Sequence, residues 1–285
     1  MKNINTKLWS HLTINANGST KEVRNHCSEI RRSEPLFVPS FTELVKHVAN
    51  ISYNNRNFNL FFRGQHQDYR EPSGDSSIYP SIYRDLDGTN KGDSILENRF
   101  QDLDKAVELL LTKNSIIDET TLRRYKEMAW AILQHYEVCL TPLLDVTHSL
   151  RVACSFALND NRGQFGYIYV LGLPYLNGSI SYFVEEDMFN IKLLSICPPT
   201  ALRPYFQDGY LIGDFPVVYE KTKKLNFARR LVAKFKIPRI GFWSENFTEI
   251  PYGALYPDED QLQDLCLNIK RHIKYDGVKH YIRIS

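Results

Sequence analysis

Gln134-His135, Asp145-Val146-Thr147 and Ser149 place an imidazole, a carboxylate, an amide and two hydroxyls within 16 residues of one another. Pro142 forbids a continuous helix through this stretch, and Leu143-Leu144 begins a short apolar run. The stretch therefore reads as helix end, loop, buried strand and new helix. A polar cluster where a strand hands over to a helix exposes free backbone N–H groups, which favours binding an anion. The same residues would also serve simply as caps. Asp145, Thr147 and Ser149 are three successive N-cap candidates for a helix carrying Val152, Ala153, Phe156 and Ala157. Upstream, Arg63-Gly64-Gln65 follows the apolar segment Phe58-Asn59-Leu60-Phe61-Phe62. An arginine at a strand end offers a planar fork of donors to phosphate. A glycine beside it lets the backbone turn and a ligand come close, although a surface arginine next to an ordinary turn glycine would look the same. Arg84 closes a second extended aromatic segment, Ser77-Ile78-Tyr79-Pro80-Ser81-Ile82-Tyr83. Cys139 and His135 would make a thiol–base pair only if a helix-to-loop transition brought them together; Cys139 otherwise reads as a small core residue.

Helical periodicity positions these groups. Leu122, Tyr125, Ala129, Ile132 and Leu133 predict a helix with Gln134 and His135 at its C-terminal end. Ser40 and Glu43 have capping-box spacing ahead of Leu44, Val45, Val48 and Ile51, and Ser94 and Glu97 have it ahead of a helix with Leu96, Phe100, Leu103, Val107 and Leu110 on one face. Strands are expected at Gly166-Tyr167-Ile168-Tyr169-Val170-Leu171, Ile180-Ser181-Tyr182-Phe183-Val184 and Tyr281-Ile282-Arg283-Ile284. Lys221, Lys223, Lys224, Arg229, Arg230, Lys234 and Lys236 form one basic run. It reads as the solvated face of a helix burying Leu225, Ala228, Leu231, Val232 and Phe235, or as a nucleic-acid contact. Asp258, Glu259 and Asp260 open a final helix. Residues 1–34 are polar and weakly periodic, an N-terminal extension or cover for a domain at 35–285.

Composition excludes more than it selects. A chain of 285 residues, 43% hydrophobic and 24% charged with net charge +2, is an ordinary soluble globular composition that argues neither for nor against nucleic acid. Five widely spaced cysteines without a Cys-x-x-Cys pair fit a reducing compartment and no zinc site. The sequence shows no apolar run of membrane-spanning length and no signal-peptide core, so a cytoplasmic protein without a membrane partner is expected. It also lacks a Gly-x-x-x-x-Gly-Lys phosphate loop and a Gly-x-Gly-x-x-Gly fingerprint.

Taken together, Phe62-Arg63-Gly64-Gln65, Tyr79-Pro80-Ser81-Ile82-Tyr83-Arg84, Glu97, Gln134-His135 and Leu143-Leu144-Asp145-Val146-Thr147 followed by Ala153 and Phe156-Ala157 resemble the FRG domain family. Gln207-Asp208-Gly209 and Leu255-Tyr256-Pro257-Asp258 resemble its later elements, so the resemblance spans about 37–267. The chain departs from the family at Val146, where tryptophan is usual, and at Glu137, where glycine is common, in a loop one residue longer. The order of pieces is also similar to ADP-ribosyltransferases of the Arg–Ser–Glu type. That similarity implies an α+β fold with a split, mainly antiparallel β core and surrounding helices. It implies NAD as substrate without a metal, and a protein or nucleic-acid acceptor. A bacterial toxin or anti-phage effector is the setting it suggests. Arg63, with Gly64, Gln65, Arg84 and Gln134, then holds the cofactor, and Arg63 grips the pyrophosphate. Thr147 matches the serine/threonine position and orients the nicotinamide ribose, while Gln207 falls where catalytic members carry glutamate. His135 or Asp145 positions the acceptor or takes its proton. A neutral amide at Gln207 hydrogen-bonds a hydroxyl but brings no negative charge, so a non-catalytic nucleotide- or nucleic-acid-binding sensor using the same cleft is the alternative.

Overall fold

A computed structural model describes residues 1–13, 20–86, 90–159, 163–216 and 225–273. Ten strands run in chain order: β1 (Leu8–Thr13), β2 (Thr20–Asn25), β3 (Leu36–Phe37), β4 (Asn59–Gln65), β5 (Leu144–Thr147), β6 (Phe165–Leu173), β7 (Ile180–Phe183), β8 (Met188–Lys192), β9 (Gly209–Asp214) and β10 (Leu231–Pro238). The helices before the central loop are α1 (Cys27–Arg32), α2 (Phe41–Asn54), α3 (Asn90–Lys113), α4 (Glu119–Arg124) and α5 (Lys126–His135). Those after it are α6 (Leu150–Leu158), α7 (Leu193–Ile196), α8 (Leu202–Gln207), α9 (Tyr252–Leu255) and α10 (Gln261–Lys270). The chain is thus mixed α and β. β1 and β2 pair as an antiparallel hairpin, and the rest form one open eight-stranded sheet in the order β3-β10-β6-β4-β5-β9-β8-β7. Neighbours are antiparallel except β3 beside β10.

The sheet has a thin seam at its middle. β4 pairs with β6 over seven residues, from Asn59 opposite Leu173 to Gln65 opposite Tyr167. Across the seam β4 meets β5 at a single register pair, Phe62 opposite Thr147. It is the one β4–β5 register pair among the described residues, and residues 62–64 of β4 line a cavity together with residues 145–147 of β5. Arg63 and Asp145 stand on either side of it.

Glycines hold α6 against this seam. A Cβ on Gly64 would lie 1.9 Å from the Ala153 carbonyl oxygen, and one on Gly166 would lie 2.7 Å from that of Ala157. Gly64 therefore serves close packing of a helix backbone on a strand and makes no turn; β4 runs through it to Gln65. Leu143 and Leu144 are buried in the same core, each 1% exposed.

Sequence expectations change at the basic run and at α3, and a third lies outside the described residues. The basic run lies on no helix: Phe227–Arg230 is a 3₁₀ turn and β10 follows it. Leu231, Val232, Ala233, Phe235 and Ile237 are buried on an internal strand covered on both faces, and such an apolar run carries no period that separates it from a helix. Arg230 and Lys234 are buried with it, while Lys221, Lys223 and Lys224 lie outside the described residues. α3 begins at Asn90, so Ser94 and Glu97 sit inside the helix and form no cap. The strand expected at 281–284 also lies outside the described residues.

The described residues within 1–34 pack into the domain. Met1, Ile4, Leu8, Cys27 and Ile30 are buried in the common core. No helix among the described residues is long and apolar enough to cross a membrane.

Candidate functional site

Arg63, Gly64, Arg84, Gln134, His135, Asp145, Thr147 and Gln207 line one cavity of about 280 Å³ at the seam. They come from four separated stretches, at 63–64, 84, 134–147 and 207, so the fold has gathered them. Gln65, the ninth residue expected here, is buried at the end of β4 and is not part of the lining. The cavity volume falls just below the range usual for small-molecule sites, about 300–1,000 Å³.

Arg63 spans the seam. Its Nη1 donates to the Asp145 carbonyl oxygen at 2.6 Å, tying one half of the sheet to the other. Its Nε is sealed from solvent and meets no hydrogen-bond partner among the described residues. Burial, reinforced by the nearby charge of Arg84 and opposed by Asp145, lowers the guanidinium to about 10. It remains a cation at neutral pH with a donor to spare.

Asp145 is the hub on the other side. Its Oδ1 lies 3.2 Å from His135 Nδ1, and its Oδ2 accepts from Gln134 Nε2 at 2.8 Å. Gln134 is fixed in turn by Thr141, whose Oγ1 donates to Gln134 Oε1 at 2.6 Å. Burial opposes ionisation of Asp145, but the hydrogen bonds and charges of His135, Arg63 and Gln134 outweigh it and hold the carboxyl below its usual range. His135, 2% exposed, is pushed down by burial, against the pull of Asp145. An ionised Asp145 only accepts, so the neutral imidazole carries its proton on Nδ1 and presents a lone pair at Nε2. Nε2 has no partner among the described residues. Gly209 leaves the ring its room, because a Cβ there would lie 3.1 Å from His135 Cε1.

Thr147 and Gln207 are already engaged. The Thr147 hydroxyl donates to the Gln207 carbonyl at 2.9 Å and accepts from Ser149 N at 3.0 Å. Gln207 Nε2 donates to the Leu255 carbonyl at 2.8 Å. Ser149, the last of the three cap candidates, is the N-cap of α6. Arg84 lines the cavity with its Nε donating to Tyr79 O at 3.0 Å. Cys139 also lines it, but burial raises its thiol far above the neutral range, which removes the nucleophile reading.

The sequence reading missed Arg203. It sits four residues before Gln207 on α8, the spacing that puts two side chains on one helix face, and that spacing was the available signal. Arg203 donates to Glu137 Oε1 at 2.9 Å and lies 4.5 Å over the Tyr256 ring. Burial opposes its charge, while Glu137 and Tyr256 raise its pKa above the usual arginine value. His66, Phe156 and Tyr256 also line the cavity, the last two edge to face with ring centroids 6.1 Å apart. Among the described residues no group of three His, Cys, Asp or Glu side chains is placed to hold a metal.

No curated protein and no solved structure matches the chain. Gln207 and Arg203 lie beyond the span in which a family model is matched. Residues 58–164, the stretch that supplies Arg63, Arg84, Gln134, His135, Asp145 and Thr147, match the family model of the FRG domain.

Proposed function

We propose that the seam cavity binds NAD and that the chain is an ADP-ribosyltransferase-like enzyme passing ADP-ribose to a protein or nucleic-acid acceptor. The observation that carries this reading is a set of three guanidinium side chains, Arg63, Arg84 and Arg203, lining one cavity. A guanidinium with a spare donor suits the pyrophosphate of a dinucleotide, which brings two negative charges and many acceptor oxygens. Phe156 and Tyr256 supply apolar surface for a ring at the other wall. His135, neutral and oriented by Asp145, lines the cavity and is the base we assign to the proton of an incoming acceptor group. Such general-base assistance contributes typically about 10²–10⁴-fold.

A second reading is favoured by two specific contacts. The Thr147 hydroxyl and the Gln207 amide nitrogen are both committed to backbone partners, which suits a cavity that binds a nucleotide without cleaving it. The experiment that decides is incubation of the purified protein with NAD labelled in its adenylate half, with cell lysate as the source of acceptors. Label appearing on a macromolecule supports the transferase. Saturable NAD binding by calorimetry, with no label transferred, supports the sensor. Neither binding nor transfer rejects both.

A further inference from the structure

Glu137 stands just past the end of α5 with a φ of 55°, the left-handed region that glycine occupies freely and a side chain adopts reluctantly. The turn it makes is a helix-ending one: Glu137 N–H donates to Gln134 O at 3.0 Å and Val138 N–H to Leu133 O at 2.8 Å. Glycine would make the same turn without strain, and nothing in the turn calls for a carboxylate. The side chain is used elsewhere. It reaches the cavity, where Oε1 is held by Arg203 Nη2 at 2.9 Å; the Glu137 side chain is 37% exposed and that of Arg203 only 8%. Arg203 is itself fixed, by Tyr256 beneath its guanidinium and by its backbone N–H donating to Asp260 Oδ2 at 2.8 Å. Its Nε has no partner among the described residues. Backbone strain kept at a cavity wall, with the strained residue aimed inward, is the pattern of a side chain held for its chemistry.

We propose that Glu137 is the carboxylate that faces the ligand's ribose in this cavity, with Arg203 as the positioning residue that fixes its rotamer. This inference rests on the NAD reading above. Of the other candidates, Gln207 is neutral and bonded to Leu255 O, Asp145 already orients His135 and Gln134 with its two oxygens, and Asp208, which also has a positive φ, is not part of the cavity lining. Glu137 has one oxygen pinned by Arg203, which leaves a carboxylate of set direction. In the transfer, the bond from ribose C1′ to the nicotinamide nitrogen breaks and its electron pair leaves with neutral nicotinamide. The ribosyl group is left positive, and a carboxylate accepting from a ribose hydroxyl stabilises that charge. The acceptor's lone pair then forms the new bond at C1′, and its proton passes to His135 Nε2.

Two variants test this, measured for nicotinamide release, NAD binding by calorimetry and melting temperature. Glu137→Gln keeps an oxygen for Arg203 and removes the charge. We expect its kcat to fall about 10²–10³-fold while the Kd for NAD changes by less than about threefold. The double variant Glu137→Gly with Arg203→Met removes the strain and the buried ion pair together, so its melting temperature is expected to match or exceed that of the wild type, with turnover lost. Glu137→Gln turning over at the wild-type rate would overturn the inference and leave the transferase standing. So would a folded double variant with full turnover. A wild-type protein that binds NAD and releases no nicotinamide overturns the transferase, and this inference falls with it.

Discussion

A guanidinium lowered to about 10 is still fully charged at pH 7, so Arg63 brings a permanent cation to the seam and spends only part of its donor set on Asp145. The sequence alone suggests that Arg63→Ala leaves stability almost untouched, as for an arginine that serves only a ligand. Its bond to the Asp145 carbonyl across the seam changes that expectation. Arg63→Ala should lose about 1–2 kcal/mol by urea denaturation, a loss typical of one hydrogen bond, while remaining folded. Acid should act on the dyad with a definite sign. His135 in the fold sits below its usual 6.5, so the unfolded chain takes up a proton first and stability falls as pH drops below about 6.5. Asp145 is also depressed; its contribution is present above the usual carboxylate range and is lost only as pH falls through its lower folded value. Both therefore weaken the fold on the acid side, His135 first. His11 and His148 are lowered by burial too, so His135→Gln should flatten only part of the decline in urea midpoint between pH 7.5 and pH 5. An unchanged slope in that variant would show that His135 titrates normally.

At the scale of elements, the cavity depends on how tightly α6 lies against β4. Gly64→Ala places a methyl 1.9 Å from the Ala153 carbonyl oxygen, on backbone that cannot swing aside, and should cost about 3 kcal/mol or more. Leu143→Ala and Leu144→Ala should each cost about 2–5 kcal/mol, because both side chains sit in the core below the seam. Denaturant midpoints check all three. The elements that place Gln134, His135, Asp145 and Thr147 were legible because their signals are local: a helical period ending at His135, a proline that stops it, and an N-cap at Ser149. β10 was not legible, since a strand buried on both faces shows no alternation, and its lysine was read as solvated when Lys234 instead donates to Arg31 O, Ser33 O and Ser76 Oγ. Nor were the commitments of Thr147 and Gln207, whose partners lie 60 and 48 residues away and leave no trace in local spacing. Gly64 was recognised as special for the wrong reason: its constraint is a helix 89 residues downstream, at Ala153, and no turn of its own.

The described residues build one eight-stranded sheet with a thin seam in its middle and a separate β1–β2 hairpin, packed against segments from early and late in the chain. Met1, Ile4, Leu8, Cys27 and Ile30 pack into the core that also takes Leu262, Cys266 and Ile269 from α10. Removing residues 1–34 should therefore expose core surface and lower the melting temperature sharply, which differential scanning calorimetry of a 35–285 variant would show. At this scale the proposal to test is that the cavity at the β4–β5 seam binds NAD through Arg63. The most direct measurement is the rate of nicotinamide release from NAD by the wild type and by Arg63→Lys, each first shown to be folded. Lysine keeps the charge but loses the planar fork, so the account predicts slow release by the wild type and a fall of at least about tenfold in kcat/KM in the variant, the worth of about 1.4 kcal/mol. Release at the same rate in both would contradict it.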